Sequence, residues 1–100
     1  MTPLVSIIIL NWNGKEHIGE CLSSVLASNY PTFEIIVVDN ASTDGSIDII
    51  KQTEKVILIQ NQCNAGFAAG NNIGFSAAKG KYVVTLNNDT TVEPDWLNEP

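Results

Sequence analysis

Phe33-Glu34-Ile35-Ile36-Val37-Val38-Asp39-Asn40 is the stretch on which the fold turns. Four β-branched apolar residues run unbroken and stop at a carboxylate and an amide. A run this short and continuous suits a strand buried on both faces, as in a parallel sheet. Three more such runs flank it: Val5–Leu10, Lys55–Ile59 and Tyr82–Leu86. Helical spacing separates them. Between Lys15 and Ser28, Ile18, Cys21, Leu22, Val25 and Leu26 recur at i, i+3, i+4, i+7 and i+8. Ser42-Thr43-Asp44 reads as the start of a second helix, with Ser42 or Thr43 as its N-cap and Asp44 matched to its dipole. Ile47 and Ile50 give that helix a core face. A third runs from Gly66 or Phe67 to Lys79, closed by Gly80 in the left-handed conformation. The order β-α-β-α-β-α-β with right-handed crossovers makes an α/β fold with a parallel, doubly wound sheet. The expected strand order is 3-2-1-4.

Composition bounds the function. The chain has 100 residues, 44% of them hydrophobic, which fits one globular domain spanning 1–100. Eleven carboxylates face five lysines and no arginine, for a net charge of −6. Nucleic-acid binders cluster Lys and Arg against phosphates, so no nucleic-acid partner is expected. Attraction to an anionic membrane surface is excluded on the same ground. No apolar run reaches the length of a membrane span, and no basic leader precedes Leu4. The expected location is cytoplasmic, and Cys21 and Cys63 are expected as reduced thiols, Cys21 in the core.

Eleven residues are asparagine, and their positions carry the functional reading. Asn11 and Asn13 follow strand 1, with Trp12 between them. Asp39-Asn40 follows strand 2. Asn61, Asn64 and Gly66 follow strand 3, and Asn87-Asn88-Asp89 follows strand 4. Parallel strands bring all four clusters to the carboxyl edge, where open α/β sheets bind ligands at the reversal of strand order. With the order 3-2-1-4 that reversal lies between strands 1 and 4, flanked by Trp12 and Asp89. Asparagine offers donor and acceptor to a base edge or a ribose hydroxyl. Tryptophan stacks on a flat base. Asp89 is a hard oxygen donor for Mg²⁺ or Mn²⁺, which bind through one or two carboxylates plus substrate phosphates. Without arginine, a diphosphate here needs a cation, a lysine or helix amides to offset its charge. Asp39 and Asn40 also read as residues that brace the turn into Ser42. No GxGxxG or P-loop pattern is present. Gly66, Gly70 and Gly74 instead line one helix face at intervals of four.

Four segments resemble the N-terminal part of an inverting family 2 glycosyltransferase with the Rossmann-like GT-A fold. They are Val5-Ser6-Ile7-Ile8-Ile9-Leu10-Asn11-Trp12-Asn13, Ile36-Val37-Val38-Asp39-Asn40-Ala41-Ser42-Thr43-Asp44-Gly45-Ser46, the stretch from Asn64 to Gly74, and Leu86-Asn87-Asn88-Asp89-Thr90. The third and fourth are similar to a rhamnosyltransferase-like subgroup. The resemblance implies that Trp12 stacks on the base beside the Leu10 backbone. It implies that Asn40 pairs with a uracil or thymine edge, and that Asp39 holds the loop and contacts the nucleoside. Asn71 or Asn72 faces the nucleotide from the third helix, near Gly66. Asn87 and Asn88 fill the first two positions of the family's DxD motif, and Asp89 fills the last as the metal ligand. Asn87 stands where most relatives carry Asp, which implies a weaker metal affinity or a cation that rests on Asp89 alone.

The resemblance therefore implies an enzyme of cell-surface polysaccharide biosynthesis. It would move a sugar from a UDP- or dTDP-sugar donor to a sugar or lipid-linked acceptor, using Mg²⁺ or Mn²⁺, and the full enzyme would sit at the inner face of the membrane. In the family fold the catalytic base, a carboxylate, and the acceptor-binding half come later in the chain. The base is therefore expected beyond Pro100, and none of the residues 1–100 is assigned as catalytic. The chain reads as an incomplete GT-A domain without transfer activity of its own. Two alternatives stand beside this one: a nucleotide-binding module without turnover, and an assembly fragment that forms a homodimer through an uncovered sheet edge.

Overall fold

The computed structural model describes residues 2–97. Pro100, beyond which the catalytic base is expected, lies outside the described residues, so the placement of that base stays a sequence expectation. Strands β1 (Val5–Asn11), β2 (Phe33–Asp39), β3 (Val56–Gln60) and β4 (Tyr82–Asn87) alternate with helices α1 (Ile18–Leu26), α2 (Ser46–Gln52) and α3 (Phe67–Ala77). All neighbouring strands are parallel, in the order β3-β2-β1-β4. Both the alternation and the strand order match the sequence reading. Register sets Leu10 opposite Val38 and Asn87, and Asn11 opposite Asp39. Strands β1, β2 and β4 each run one residue further than their apolar stretch, into the Asn or Asp that follows it.

Side-chain alternation divides the core between the two faces of the sheet. Val5, Ile7, Ile9, Ile35 and Val37 pack with Ile18, Cys21, Leu22 and Val25 of α1 and Ile50 of α2. Ile8, Ile36 and Val38 face the other way, against Ile73 and Ala77 of α3. The two central strands are buried almost throughout, whereas β3 and β4 are edge strands with partly exposed side chains. Tyr82 and Val83 on β4 are exposed. After β4 the chain turns back over α1. Val92 N–H donates to Ser24 Oγ, Trp96 Nε1–H donates to Ser28 Oγ, and Asn29 Nδ2–H donates to Asp95 Oδ1. Val92, Trp96 and Leu97 thereby cover part of the α1-side core.

The helix ends depart from the sequence expectations. Helix α1 begins at Ile18 rather than Lys15, because Gly14 C=O accepts from both His17 and Ile18 N–H and makes the preceding residues a turn. Helix α2 begins at Ser46, not near Ser42. The Ser42 hydroxyl donates to Asp39 Oδ1 and accepts from Asn13 N–H, so it cannot cap a helix. Gly45, at φ 91°, makes the left-handed entry instead, and Asp44 Oδ1 accepts from Ser46 N–H. Hydrogen bonds from Ser46, joined by the Lys15 amide, hold the Asp44 carboxyl below its usual range. Helix α3 ends at Ala77, and Gly80 is not left-handed. Gly80 is required by closeness: its N–H donates to Ser6 Oγ, and a Cβ there would lie 2.6 Å from Ser6 N.

Two features fix the carboxyl edge. The first is the seating of α3. A Cβ on Gly70 would lie 2.5 Å from Leu10 Cδ1, and one on Gly74 2.5 Å from Ile8 Cγ2. The glycine stripe thus lets the helix backbone lie directly on β1. The second is the Asn11 side chain, fully buried at the end of β1. Its Nδ2 donates to Asp39 Oδ1 at 2.8 Å and to Ser46 Oγ at 3.0 Å, and its Oδ1 accepts from Asn88 Nδ2 at 2.9 Å. One amide therefore ties β2, α2 and the turn after β4 to β1. Gly14 makes room for it, since a Cβ there would overlap Asn88 Nδ2.

Both features can be tested by equilibrium urea unfolding. Asn11→Ala strips a buried carboxylate, a hydroxyl and an amide of a partner at once. The expected loss is about 3 kcal/mol, and a loss under roughly 0.5 kcal/mol would show that the network is not holding the edge. Gly74→Ala sets an overpacking cost of about 1–3 kcal/mol against a helix-propensity gain of up to about 1 kcal/mol. A net loss of roughly 1–2 kcal/mol is expected, and a gain in stability would refute the close seating.

Candidate functional site

At the carboxyl edge, between the ends of β1 and β4, lies an open cleft of about 290 Å³ lined by Leu10, Trp12, Phe67, Asn87, Asn88 and Asp89. Its position is the expected one, since strand order reverses between β1 and β4. Leu10 ends the apolar part of β1 and is held from behind by the close approach of Gly70. Trp12 stands in the loop that follows, 56% exposed. That loop is rigid. Asn13, at φ 49°, accepts from Thr43 N–H through Oδ1, and its own N–H donates to Ser42 Oγ. An indole held out into water by a braced loop is unusual for a core aromatic and suits a stacking platform.

The opposite side is the turn Asn87-Asn88-Asp89-Thr90, closed by Thr90 N–H donating to Asn87 C=O. Asn88 points its Nδ2 inward to Asn11, which anchors the turn. Asn87 and Asp89 remain exposed. Cys21 lies beneath: its thiol faces Asn87 C=O at 3.8 Å. Burial, and then the charge of Asp89, pushes that thiol up to about 11, so it is neutral and unreactive at physiological pH. Cys21 is core, as its spacing suggests. The exposed Asp89 carboxylate and the neighbouring amide oxygens are hard donors. Among the described residues no group of three or more His, Cys, Asp or Glu gathers as a ready-made metal cage. One carboxylate beside an open cleft could hold a Mg²⁺ or Mn²⁺ only if substrate oxygens and water completed its shell.

The structure brings Leu10, Trp12, Asn87, Asn88 and Asp89 together on this cleft and places the other candidates around it. Asp39 is fully buried, and its carboxylate accepts from Asn11 Nδ2, Ser42 Oγ and Ser42 N–H. Bracing the loop is the role its contacts describe. Asn40 is also buried. Its Oδ1 accepts from Asn61 Nδ2 and Ala65 N–H, and its Nδ2 donates to Gly66 C=O. It clamps the end of β2 to the loop leading into α3. Gly66, at φ 85°, makes the turn into that helix and has open space around it. Asn71 faces inward on α3, 8% exposed, whereas Asn72 is exposed on another face of the helix. Two contributors were missed by the sequence reading. Asn11 was noted only as one of a cluster, and Phe67 only as a helix boundary, although Phe67 lines the cleft and is 68% exposed. The signal for Asn11 was its register opposite Asp39.

Comparison with known proteins agrees with this fold. The sequence pattern described as glycosyl transferase family 2 matches residues 6–99. A Bacillus subtilis protein named as the putative teichuronic acid biosynthesis glycosyltransferase TuaG is 36% identical over 101 residues, covering 97% of this chain and 40% of the relative. S. aureus TarS, solved in complex with UDP, superposes with a TM-score of 0.88 at 26% identity over 94% of this chain and 30% of its own. The mannosyltransferase PcManGT of Pyrobaculum calidifontis, solved with GDP-Man and Mn²⁺, superposes with a TM-score of 0.86 at 28% identity over 91% of this chain and 29% of its own. The chain spans about a third of the length of the curated relatives it matches. With its sheet order, its cleft at the β1–β4 reversal and these likenesses, the chain belongs to glycosyl transferase family 2, on a GT-A, Rossmann-like frame.

Proposed function

We propose that the chain is the donor-binding part of an inverting glycosyltransferase, taking a UDP- or dTDP-linked sugar in the cleft between β1 and β4. The observation that carries this is that an exposed indole and an exposed carboxylate turn line one small cleft together with Leu10. The base stacks on Trp12, and the diphosphate lies toward Asn87 and Asp89. In this reading Asn71, which faces inward from α3, contacts the nucleoside. Asp39 and Asn40 act on the nucleotide by holding these loops. Asp89 would hold a divalent cation, whose positive charge would offset that of the departing diphosphate in a chain without arginine. In the full reaction, a carboxylate base from beyond Pro100 deprotonates an acceptor hydroxyl, which displaces the nucleotide in one step. The teichuronic acid name of one relative supports a sugar or lipid-linked acceptor of a cell-surface polysaccharide. No helix among the described residues is long and apolar enough to cross a membrane.

Calorimetric titration of UDP and dTDP with and without Mn²⁺ tests the reading. Mn²⁺-dependent binding is expected. Trp12→Ala is expected to weaken it by the value of one stacked base, about 1–3 kcal/mol, with unfolding unchanged because Trp12 is largely exposed. Asp89→Ala should abolish the Mn²⁺ dependence. No binding of either nucleotide, with or without metal, would defeat the proposal. These 100 residues are also expected to bind donor without turning it over. Steady release of UDP from UDP-GlcNAc in the presence of a sugar acceptor would overturn that part alone.

A further inference from the structure

We infer that Phe67 is a second aromatic wall of the donor cleft, so that the base enters between the Phe67 ring and the Trp12 indole with Leu10 as its floor. This rests on the nucleotide reading above and adds to it a contact residue on the opposite side of the base. The argument begins with helix spacing. Phe67 stands three, four and seven residues before Gly70, Asn71 and Gly74, which are the buried residues of α3. It therefore belongs to the face that α3 turns toward the sheet. Gly74 sits on Ile8 and Gly70 on Leu10, so each turn of α3 toward its N-terminus advances along β1 toward its carboxyl end. One turn further, the sheet has ended. Phe67 therefore projects past the last apolar residue of β1 and has no core to pack on.

Its surroundings agree. Phe67 is 68% exposed, the most exposed large apolar side chain described. It is absent from both apolar clusters, although the rest of its helix face is buried. It lines the same cleft as Trp12 and Leu10. An aromatic ring on an inward helix face that meets water instead of protein is an incomplete contact, and a flat, partly apolar ligand completes it. The backbone there is held in place. Asn64 Oδ1 accepts from Gly66 N–H, and Gly66 C=O accepts both from Asn40 Nδ2 and from Gly70 N–H. The first turn of α3 is thus pinned to the end of β2, and the ring is presented from a fixed position. A base between two rings is recognised by its planarity, and the polar groups of the cleft remain free for the sugar and the diphosphate.

The test separates base from diphosphate. UDP and inorganic pyrophosphate are each titrated with Mn²⁺ into the unsubstituted chain, Phe67→Ala and Phe67→Tyr. Phe67→Ala is expected to weaken UDP binding about 5- to 100-fold, the range for one stacked base, and to leave pyrophosphate binding unchanged. Phe67→Tyr should keep UDP affinity within about twofold, since it restores the ring. An unchanged UDP affinity in Phe67→Ala, or equal losses for UDP and pyrophosphate, would overturn the inference while leaving the nucleotide reading in place. Failure of the unsubstituted chain to bind either UDP or dTDP would overturn both. The substitution removes an exposed side chain, so the urea midpoint is expected to hold, and a coincident midpoint shows that the affinity change is local.

Discussion

The buried side chain of Asn11 is the interaction on which the carboxyl edge depends. Asp39 is a carboxylate with no exposed surface, and this acidic chain has no arginine to pair with it. A buried carboxylate is tolerated only when hydrogen bonds replace its lost hydration. Asn11 Nδ2, Ser42 Oγ and Ser42 N–H do so. Among the described residues no buried side-chain polar atom lacks a partner. Because the same amide also holds Ser46 and Asn88, the charge is stabilised where three separate segments arrive at one point. The polar cluster thereby anchors the turn that carries Asn88 at the cleft.

The parts of the molecule carry different shares of that task. β1 and β2 are buried on both faces and supply the rigid floor. α3 lies on them through glycine, so its backbone is seated directly on the Leu10 and Ile8 side chains. The edge strands β3 and β4 are half solvated and contribute loops more than core. The polar loops are braced against one another, Asn13 with Ser42 and Thr43, and Asn40 with Asn61 and Gly66. Asparagine does this well because one side chain donates and accepts at once. The abundance of asparagine at the strand ends reflects bracing at least as much as ligand contact.

Much of this was legible in the sequence. Continuous β-branched runs ending in Asn or Asp pointed to four parallel strands, and the alternation with helical spacing pointed to their order. Trp12, Asn87, Asn88 and Asp89 were found because a polar cluster after a parallel strand has only one place to go. What sequence could not separate was the direction of a polar side chain. Asp39 and Asn40 carry the right groups for a nucleotide, and the same groups serve equally well to close a loop; only contacts distinguish the two. Helix ends were misread for a related reason. Ser42 is a good cap by type, but its hydroxyl is taken by Asp39. Gly80 looked like a helix stop, yet its small size serves the neighbouring strand. Phe67 was invisible because an apolar residue on an inward helix face reads as core, and nothing in a pattern shows where the sheet ends beneath it.

The exposure of the cleft walls has a consequence for how such a chain can change over time. Trp12, Phe67, Asn87 and Asp89 are exposed, whereas Asn11, Asp39, Gly70 and Gly74 are packed or hydrogen-bonded into the frame. On the proposed donor reading, mutations at the first set would alter ligand preference at small cost to folding, and mutations at the second would alter folding first. Donor choice could then drift residue by residue among descendants without an unfolded intermediate. A library confined to those four wall positions would explore specificity on a scaffold that stays folded throughout.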